Sequence, residues 1–335
     1  MKMRLLVCTI VVAMFAFMGI SFAQSKIEIK VATIAPNGTP WTAHLEKWRD
    51  NLLKASDGNI EIKIFPSGQL GNEFDVLKQV KRGRITSAGF SAAPLNASFP
   101  ELTLMGTPFL FDKVETHDCI YDTQLNKEFS AVLENAGLKV LQWQDGGSVN
   151  IYAKDDLTDP VSAKGYKIRV ALHPISRILW SSAGANGIEL PYVETPAALQ
   201  TGMVKGGESA ALSYFAFGLS KIAPHLMLTN HYHQAGAILI NLNQWNKYTS
   251  DQQKTIEDAL PNINEMRQSV RGAGKALITK FIAEGGQVHE LTAQQRAAWK
   301  KLVEPNWPKF VKDLGPEAQA MWPKILEAKK ACESK

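Results

Sequence analysis

The sequence of 335 residues has few cysteines and little excess charge, and each shortage argues against a class of protein. Cys119 and Cys332 are the cysteines beyond the N-terminal segment, and they lie too far apart for a metal-binding or redox motif. The formal net charge is +5, with basic residues interspersed among acidic ones. Such a weak, dispersed charge gives no indication of nucleic-acid binding. Low-complexity stretches and short repeats are missing as well.

Long apolar runs are missing after the first two dozen residues. The N-terminus has two basic residues, an apolar stretch and the small-x-small site Ser21-Phe22-Ala23, which is the pattern of a secretory signal peptide. We therefore predict a signal peptide over residues 1–23 and a mature protein that is periplasmic and not inserted in the membrane. Export would permit Cys119 and Cys332 to pair, but the sequence leaves open whether they do.

Strand and helix patterns alternate along the mature chain. Ile27, Ile29 and Val31 alternate with polar residues, as in a half-buried strand, and Thr39-Pro40 then caps a helix with an apolar stripe. Two such α/β sets lie on either side of Gly146-Gly147. The alternation predicts an α/β fold, and about 310 mature residues favour two lobes.

A serine motif raises the alternative of an exported hydrolase. Residues 207–211 (GESAA) resemble the nucleophile elbow G-x-S-x-G but lack its last glycine. No histidine and aspartate pair is placed convincingly downstream. We therefore predict that the chain is not an enzyme and has no catalytic residue, and a serine hydrolase using Ser209 is kept as an alternative.

The histidines His225, His231 and His233 form one cluster in the sequence. On a strand, His231 and His233 would point to the same face, as a metal site could use. Because no carboxylate or cysteine lies close by in sequence, we predict neither a metal nor a cofactor. A metal-binding receptor using these three histidines is kept as a second alternative.

Arg169 lies in a strand pattern, residues 166–170 (YKIRV), that is otherwise built for burial. A buried guanidinium is costly unless a carboxylate meets it, and its planar fork suits bidentate pairing. That carboxylate belongs either to a ligand or to a structural Asp or Glu. The residue alone does not distinguish the two.

Two stretches of the chain resemble the substrate-binding proteins of TRAP transporters, also called extracytoplasmic solute receptors. Residues 165–170 (GYKIRV) resemble the family pattern G-x-K-I-R-V, and residues 198–208 (ALQTGMVKGGE) resemble A-L-Q-T-G-x-V-D-G-x-E. Supporting stretches follow in family order at residues 65–73, 107–111 and 228–231. The resemblance covers nearly all of the mature sequence.

The resemblance implies a two-lobed periplasmic-binding-protein fold with a long helix shared between the lobes. Lobe I would comprise residues 24–146 and 233–273, and lobe II residues 147–232 and 274–330. The protein would deliver a small organic acid to TRAP membrane subunits, with Arg169 holding the ligand carboxylate. The other ligand-binding residues would be Asn37, Thr39, Trp41, Phe90, Ser91, Ser148, Glu208, Ser209, Tyr214 and Phe215.

The chain departs from the family pattern at three positions. Gly147-Ser148 stands where many members have a glycine followed by a second arginine, Ser209 stands where Glu-Asn-Pro is common, and Lys205 replaces the usual aspartate. A single ionic contact predicts a monocarboxylate in preference to a sialic acid or a dicarboxylate. Its apolar body would face Trp41, Phe90, Tyr214 and Phe215.

Overall fold

The computed structural model describes residues 26–334. The predicted signal peptide, residues 1–23, lies outside the described residues. The strands are β1 (Ile27–Thr33), β2 (Ile60–Phe65), β3 (Ser87–Phe90), β4 (Leu138–Ala153), β5 (Lys167–Val170), β6 (Asn186–Glu189), β7 (Gly206–Ala210), β8 (His225–Asn241) and β9 (Gln287–Glu290).

The α-helices alternate with these strands in the first two thirds of the chain and then follow one another. They are α1 (Pro40–Ala55), α2 (Glu73–Lys81), α3 (Ala92–Ser98), α4 (Pro100–Thr103), α5 (Val114–Cys119), α6 (Asn126–Asn135), α7 (Pro174–Ser182), α8 (Thr195–Gln200), α9 (Ala211–Ala216), α10 (Leu242–Trp245), α11 (Ser250–Asp258), α12 (Ile263–Ala283), α13 (Ala293–Val303), α14 (Trp307–Asp313) and α15 (Pro316–Glu333). Within the described residues, no helix is both long and apolar enough to cross a bilayer.

The strands form one mixed sheet in the order β2-β1-β3-β8-β4-β7-β5-β6, with β9 beside β8. Parallel strands β2, β1 and β3 lie on one side, and parallel strands β7, β5 and β6 on the other. The long antiparallel strands β4 and β8 pair with each other in the middle of the sheet. On one side β8 also pairs with β3, and on the other side β4 also pairs with β7. This arrangement confirms the predicted two-lobed α/β fold, because each lobe has its own parallel set and the two long strands join them.

A β-bulge interrupts β4 where the chain passes from one lobe to the other. The register with β8 shifts between Asp145 and Gly147, and Gly147 has a φ of 86°, a conformation that favours glycine. Bulges bend a strand and redirect neighbouring side chains. The bulge therefore sets the direction in which the Asp145 side chain points at the junction of the lobes.

Helix α12 is the long shared helix. Its 21 residues begin after the cap Asn262 and the helix-breaking Pro261. It contacts α1 and β4 near its start and α9 and β9 farther along. The predicted helix spanning both lobes is therefore confirmed, with Pro261 separating it from α11.

The C-terminal helix α15 packs differently from the predicted partition, which assigned residues 274–330 to lobe II. It lies against α4 and α5 of the first lobe, and a disulfide joins Cys332 at its end to Cys119 of α5. By contrast, α13 packs on α7 and β9 pairs with residues 225–228 of β8, so these two elements keep to the second lobe. The packing thus favours placing α15 with lobe I, and the boundaries at 146/147 and 232/233 are retained as a proposal.

Candidate ligand-binding site

A cavity of about 1030 Å³, which includes space open to solvent, lies where the two sets of strands meet. Its aromatic lining comes from both lobes: Trp41, Phe74, Phe90, Tyr192, Phe217 and Tyr232. Its charged lining consists of Glu73, Asp145, Arg169 and Glu208. A concave, mainly apolar pocket with aromatic side chains and a few convergent charged groups is typical of a small-molecule site.

Arg169 extends from β5 to the cavity and is only 4 % exposed. Its Nε and Nη2 atoms donate to the carbonyl oxygen of Leu190 at 3.1 and 3.0 Å, and its guanidinium carbon lies 5.3 Å from the centre of the Tyr192 ring. Among the described residues it forms no ion pair, since Glu189 pairs with Arg177 instead. In the described part of the chain, therefore, no structural Asp or Glu pairs with this buried guanidinium.

Glu208 lies on β7 and is buried against His231 of β8. The two side chains are 3.3 Å apart, close enough for an ion pair, but their orientation does not make a hydrogen bond. Burial alone would raise the pKa of Glu208, yet His231, with smaller contributions from His173 and Ser176, outweighs it and the pKa lies below its usual range. Glu208 is therefore a carboxylate in the cavity wall at neutral pH.

Glu73 is a second acid buried at the cavity, on the first lobe. Its oxygens accept hydrogen bonds from the backbone nitrogen and the hydroxyl of Ser91, both at 2.6 Å. Burial outweighs these bonds and raises the pKa of Glu73 to about 7. Ser91 also caps α3 through Ala93, so Glu73 holds the start of that helix at the cavity edge.

The raised pKa of Glu73 makes stability depend on pH. The folded state binds the Glu73 proton more tightly than the unfolded state does. The protonated carboxyl group therefore adds to the free energy of unfolding fully below about pH 4.5, and this contribution is lost as pH rises toward 7. We expect Glu73→Gln, which stays neutral, to be more stable relative to wild type at pH 8 than at pH 5, by on the order of 2 kcal/mol. Urea unfolding at the two pH values measures this difference, with the exposed Glu115→Gln as control. Equal differences at both pH values would contradict the assignment.

Asp145 connects the cavity to the elements that join the lobes. Its carboxylate accepts from Arg271 of α12 at 2.6 and 2.9 Å and lies 3.2 Å from His233 of β8. Its backbone carbonyl accepts from the indole of Trp41 at 2.8 Å. Burial would raise the pKa of Asp145, but His233 and Arg271 outweigh it, so the pKa is lowered. The charge of Asp145 is thus compensated within the protein.

Six of the predicted site residues meet at this cavity: Trp41, Phe90, Ser91, Arg169, Glu208 and Ser209. Two other predicted residues, Thr39 and Ser148, do not line the cavity and make structural contacts nearby. The Thr39 hydroxyl caps α1 and donates to the Pro36 carbonyl, and the Ser148 hydroxyl lies 3.2 Å from the Nδ1 atom of His233.

Asn37, Tyr214 and Phe215 also lie outside the cavity lining. Asn37 is exposed in its loop. Tyr214 donates from its hydroxyl to the Ala223 carbonyl at 2.8 Å, and Phe215 packs on Phe281. The two aromatic residues belong to the core of the second lobe, and the structure does not bring them to the ligand space.

Sequence reasoning missed several lining residues. Tyr192 follows the end of β6, at the same edge of the sheet as Arg169, and this position is a signal that could have identified it. Asp145 directly precedes the glycine pair at which the lobes were divided. Phe217 and Tyr232 have no comparable signal, because neither stands at a recognised motif.

The three histidines considered for a metal receptor are separated. His225 pairs with His289 at 2.9 Å, His231 with Thr229 at 2.8 Å, and His233 with Asp145. They do not form one site. The hydroxyl of Ser209 donates to the carbonyl of Ala210 at 3.2 Å, and in the described part of the chain it has no hydrogen bond to a histidine or a carboxylate that could act as a base.

Comparisons with known proteins identify the family of the chain. A family model described as bacterial extracellular solute-binding protein, family 7, matches residues 31–313. A C4-dicarboxylate-binding periplasmic protein DctP from Rhodobacter capsulatus is 23% identical over 299 residues, covering 88% of this chain and 89% of the relative. A solute-binding protein from Chromohalobacter salexigens is 23% identical over 297 residues, covering 88% of each chain. A TRAP periplasmic solute-binding protein from Xanthobacter autotrophicus Py2, solved with bound beta-D-galacturonate, superposes with a TM-score of 0.83 at 27% identity, covering 90% of this chain and 99% of the other.

Proposed function

Because the chain belongs to family 7 of the bacterial extracellular solute-binding proteins, which are receptors and not enzymes, we propose that it binds a small organic monocarboxylate through Arg169. In this proposal it is the periplasmic component of a TRAP transporter and delivers the acid to the membrane subunits. The signal peptide over residues 1–23 would direct its export.

The observation that carries the proposal is the state of Arg169. Its guanidinium is buried at the cavity, forms no ion pair within the described part of the chain, and is held in place by a neutral carbonyl. A buried charge without a counter-charge is strongly destabilising. A ligand carboxylate would supply that counter-charge, and charge-assisted hydrogen bonds to it are among the strongest that a protein makes.

The charge balance of the lining supports one carboxylate per ligand. Among the described residues that line the cavity, Arg169 is the only lysine or arginine, whereas Glu208 is an acid that is charged at neutral pH. A second carboxylate would approach Glu208 in a site of low dielectric, where like charges repel strongly. The bound galacturonate of the Xanthobacter relative also has a single carboxylate.

The apolar part of the ligand would lie against a somewhat different set of rings from that predicted. Trp41 and Phe90 remain as candidates on the first lobe, while Tyr192 and Phe217 line the second lobe where Tyr214 and Phe215 do not. Aromatic faces can pack against the apolar faces of sugar rings and against hydrocarbon chains, because both bury apolar area there. We therefore propose a body of several carbons without fixing its class.

Closure of the two lobes over the ligand would couple binding to transport. The carboxylate contacts one lobe at Arg169, and the body contacts rings of both lobes. A ligand that makes more contacts in the closed state shifts the equilibrium toward it. The membrane subunits would then recognise the closed form.

Matched pairs of acids test the proposed ligand class. We expect a monocarboxylate that binds, measured by isothermal titration calorimetry, to bind at least about tenfold more tightly than its dicarboxylate counterpart. Suitable pairs are galacturonate with galactarate and butyrate with succinate, within a broader panel of organic acids. A dicarboxylate that binds more tightly than its partner would contradict the single-carboxylate proposal, and a panel without any binder would contradict the receptor proposal.

A further inference from the structure

His117, Asp118 and His233 lie together where α5 meets β8. One potential metal-ligand atom from each of the three side chains lies within 4.8 Å of the other two. His117 and His233 are buried, at 2 and 7 % exposure, and the Asp118 side chain is 17 % exposed. Two neighbouring residues of α5 and one residue of β8 thus converge, although more than 100 residues separate them in the sequence.

His117 has no polar partner among the described residues. Its Nε2 atom is buried without a hydrogen bond, and its ring packs with centroid distances of 5.0 Å to both His233 and Tyr121. A buried ring nitrogen without a hydrogen-bond partner requires an explanation.

His233 is oriented by the carboxylate of Asp145. Its Nε2 atom lies 3.2 Å from Asp145 Oδ2, and its Nδ1 atom lies 3.2 Å from the hydroxyl of Ser148. Metal-binding histidines commonly donate one ring nitrogen to a carboxylate, which fixes the tautomer and leaves the other nitrogen for the metal. Rotation of Ser148 about χ1, which moves its hydroxyl oxygen away, would free Nδ1 for that purpose.

The charge around the cluster favours a cation. Arg267 and Arg271 face the carboxylates of Asp118, Asp122 and Asp145, so that three negative charges meet two positive ones. A carboxylate offers about four lone-pair positions, and Asp118 accepts two hydrogen bonds, both from Nη2 of Arg271. Lone pairs of Asp118 therefore remain for a metal.

We propose that His117, Asp118 and His233 bind one divalent transition-metal ion, with Zn²⁺ as the best match. Two imidazole nitrogens and one carboxylate oxygen are typical zinc ligands, and a fourth position would be left for water. Ligand atoms of a tetrahedral zinc ion are about 3.4 Å apart, so small side-chain rotations would draw the three together. The ion would join α5 to β8 and is independent of the proposed organic acid.

Titration with ZnCl₂ tests the site directly. The mature protein, free of any histidine tag and treated with EDTA, is titrated by calorimetry, and we expect one Zn²⁺ per chain. His117→Phe keeps a flat ring against Tyr121 and should lower the affinity by on the order of 100-fold. The matched control is His289→Phe, which removes the other close histidine pair and should bind as wild type does.

Three results would overturn the proposal: no zinc binding by wild type, equal binding by wild type and His117→Phe, or a loss confined to His289→Phe. Circular dichroism checks that the variants fold. If His117→Phe does not fold, Asp118→Asn takes its place, and its unchanged zinc affinity would equally reject the site. Co²⁺ absorption in the visible region provides an independent reading of tetrahedral coordination.

Discussion

Arg169→Ala is expected to lower the affinity for the organic acid at least about 100-fold, which corresponds to about 2.7 kcal/mol. The reason is that the substitution removes both the counter-charge and the hydrogen-bond donors for the ligand carboxylate. Arg169→Lys should recover only part of the loss, because an ammonium group lacks the planar fork of the guanidinium. Calorimetric titration with the tightest-binding acid measures both variants.

The matched control for this experiment is Arg177→Ala. Arg177 lies on α7 and pairs with Glu189 at the surface, outside the cavity lining. Its removal should leave the affinity within about twofold of wild type, because exposed ion pairs contribute little. Unchanged affinity in Arg169→Ala, with its fold intact, would show that another group holds the carboxylate.

Arg271→Met is expected to destabilise the protein by about 3 kcal/mol, the second large effect. Arg271 donates to both Asp118 and Asp145, and the side chain of Asp145 is only 1 % exposed. Removing one partner of a buried pair leaves a charge that water cannot solvate. The free energy of unfolding in urea, measured with EDTA present, gives the magnitude.

Lys47→Met is the control for that measurement. Lys47 contacts Glu265 of the same helix α12 at 2.7 Å, but both side chains are more than half exposed. Its loss should cost less than about 1 kcal/mol. If the two variants were equally stable, the ionic cluster around Asp145 would not be an important support of the junction between the lobes.

Much of the fold follows from local patterns in the sequence. The alternation of Ile27, Ile29 and Val31 predicts β1, and Thr39-Pro40 marks the start of α1, because strand period and capping act over a few residues. Pro261 separates α11 from α12, because proline interrupts a helix. Such signals need no knowledge of distant parts of the chain.

Features that depend on distant partners were not accessible in this way. Residues 138–143 and 148–153 read as two strands, whereas the structure has the continuous strand β4 with a bulge, since β8 pairs along its whole length. The Cys119–Cys332 disulfide and the packing of α15 on the first lobe are likewise set by tertiary contacts. Local propensity carries no information about them.

The residues of the candidate site also fall into two groups, those with a local sequence signal and those placed by tertiary contacts. Arg169, Glu208 and Ser209 stand in stretches that resemble a family pattern, and all three reach the cavity. Tyr214 and Phe215 lie on the short helix α9, and the sequence gives no means of telling which side of it faces the ligand. Asp118 meets His233 only through the fold, which is why sequence analysis found no carboxylate near that histidine.

The central claim is that Arg169 holds the carboxylate of a small organic acid between the two lobes. A crystal structure of the protein with the tightest-binding monocarboxylate tests it most directly. The account predicts a carboxylate oxygen within hydrogen-bond distance of the Arg169 guanidinium, with the body of the ligand against Trp41 and Tyr192. A ligand whose carboxylate lies elsewhere in the cavity, with Arg169 bonded only to Leu190, would contradict it.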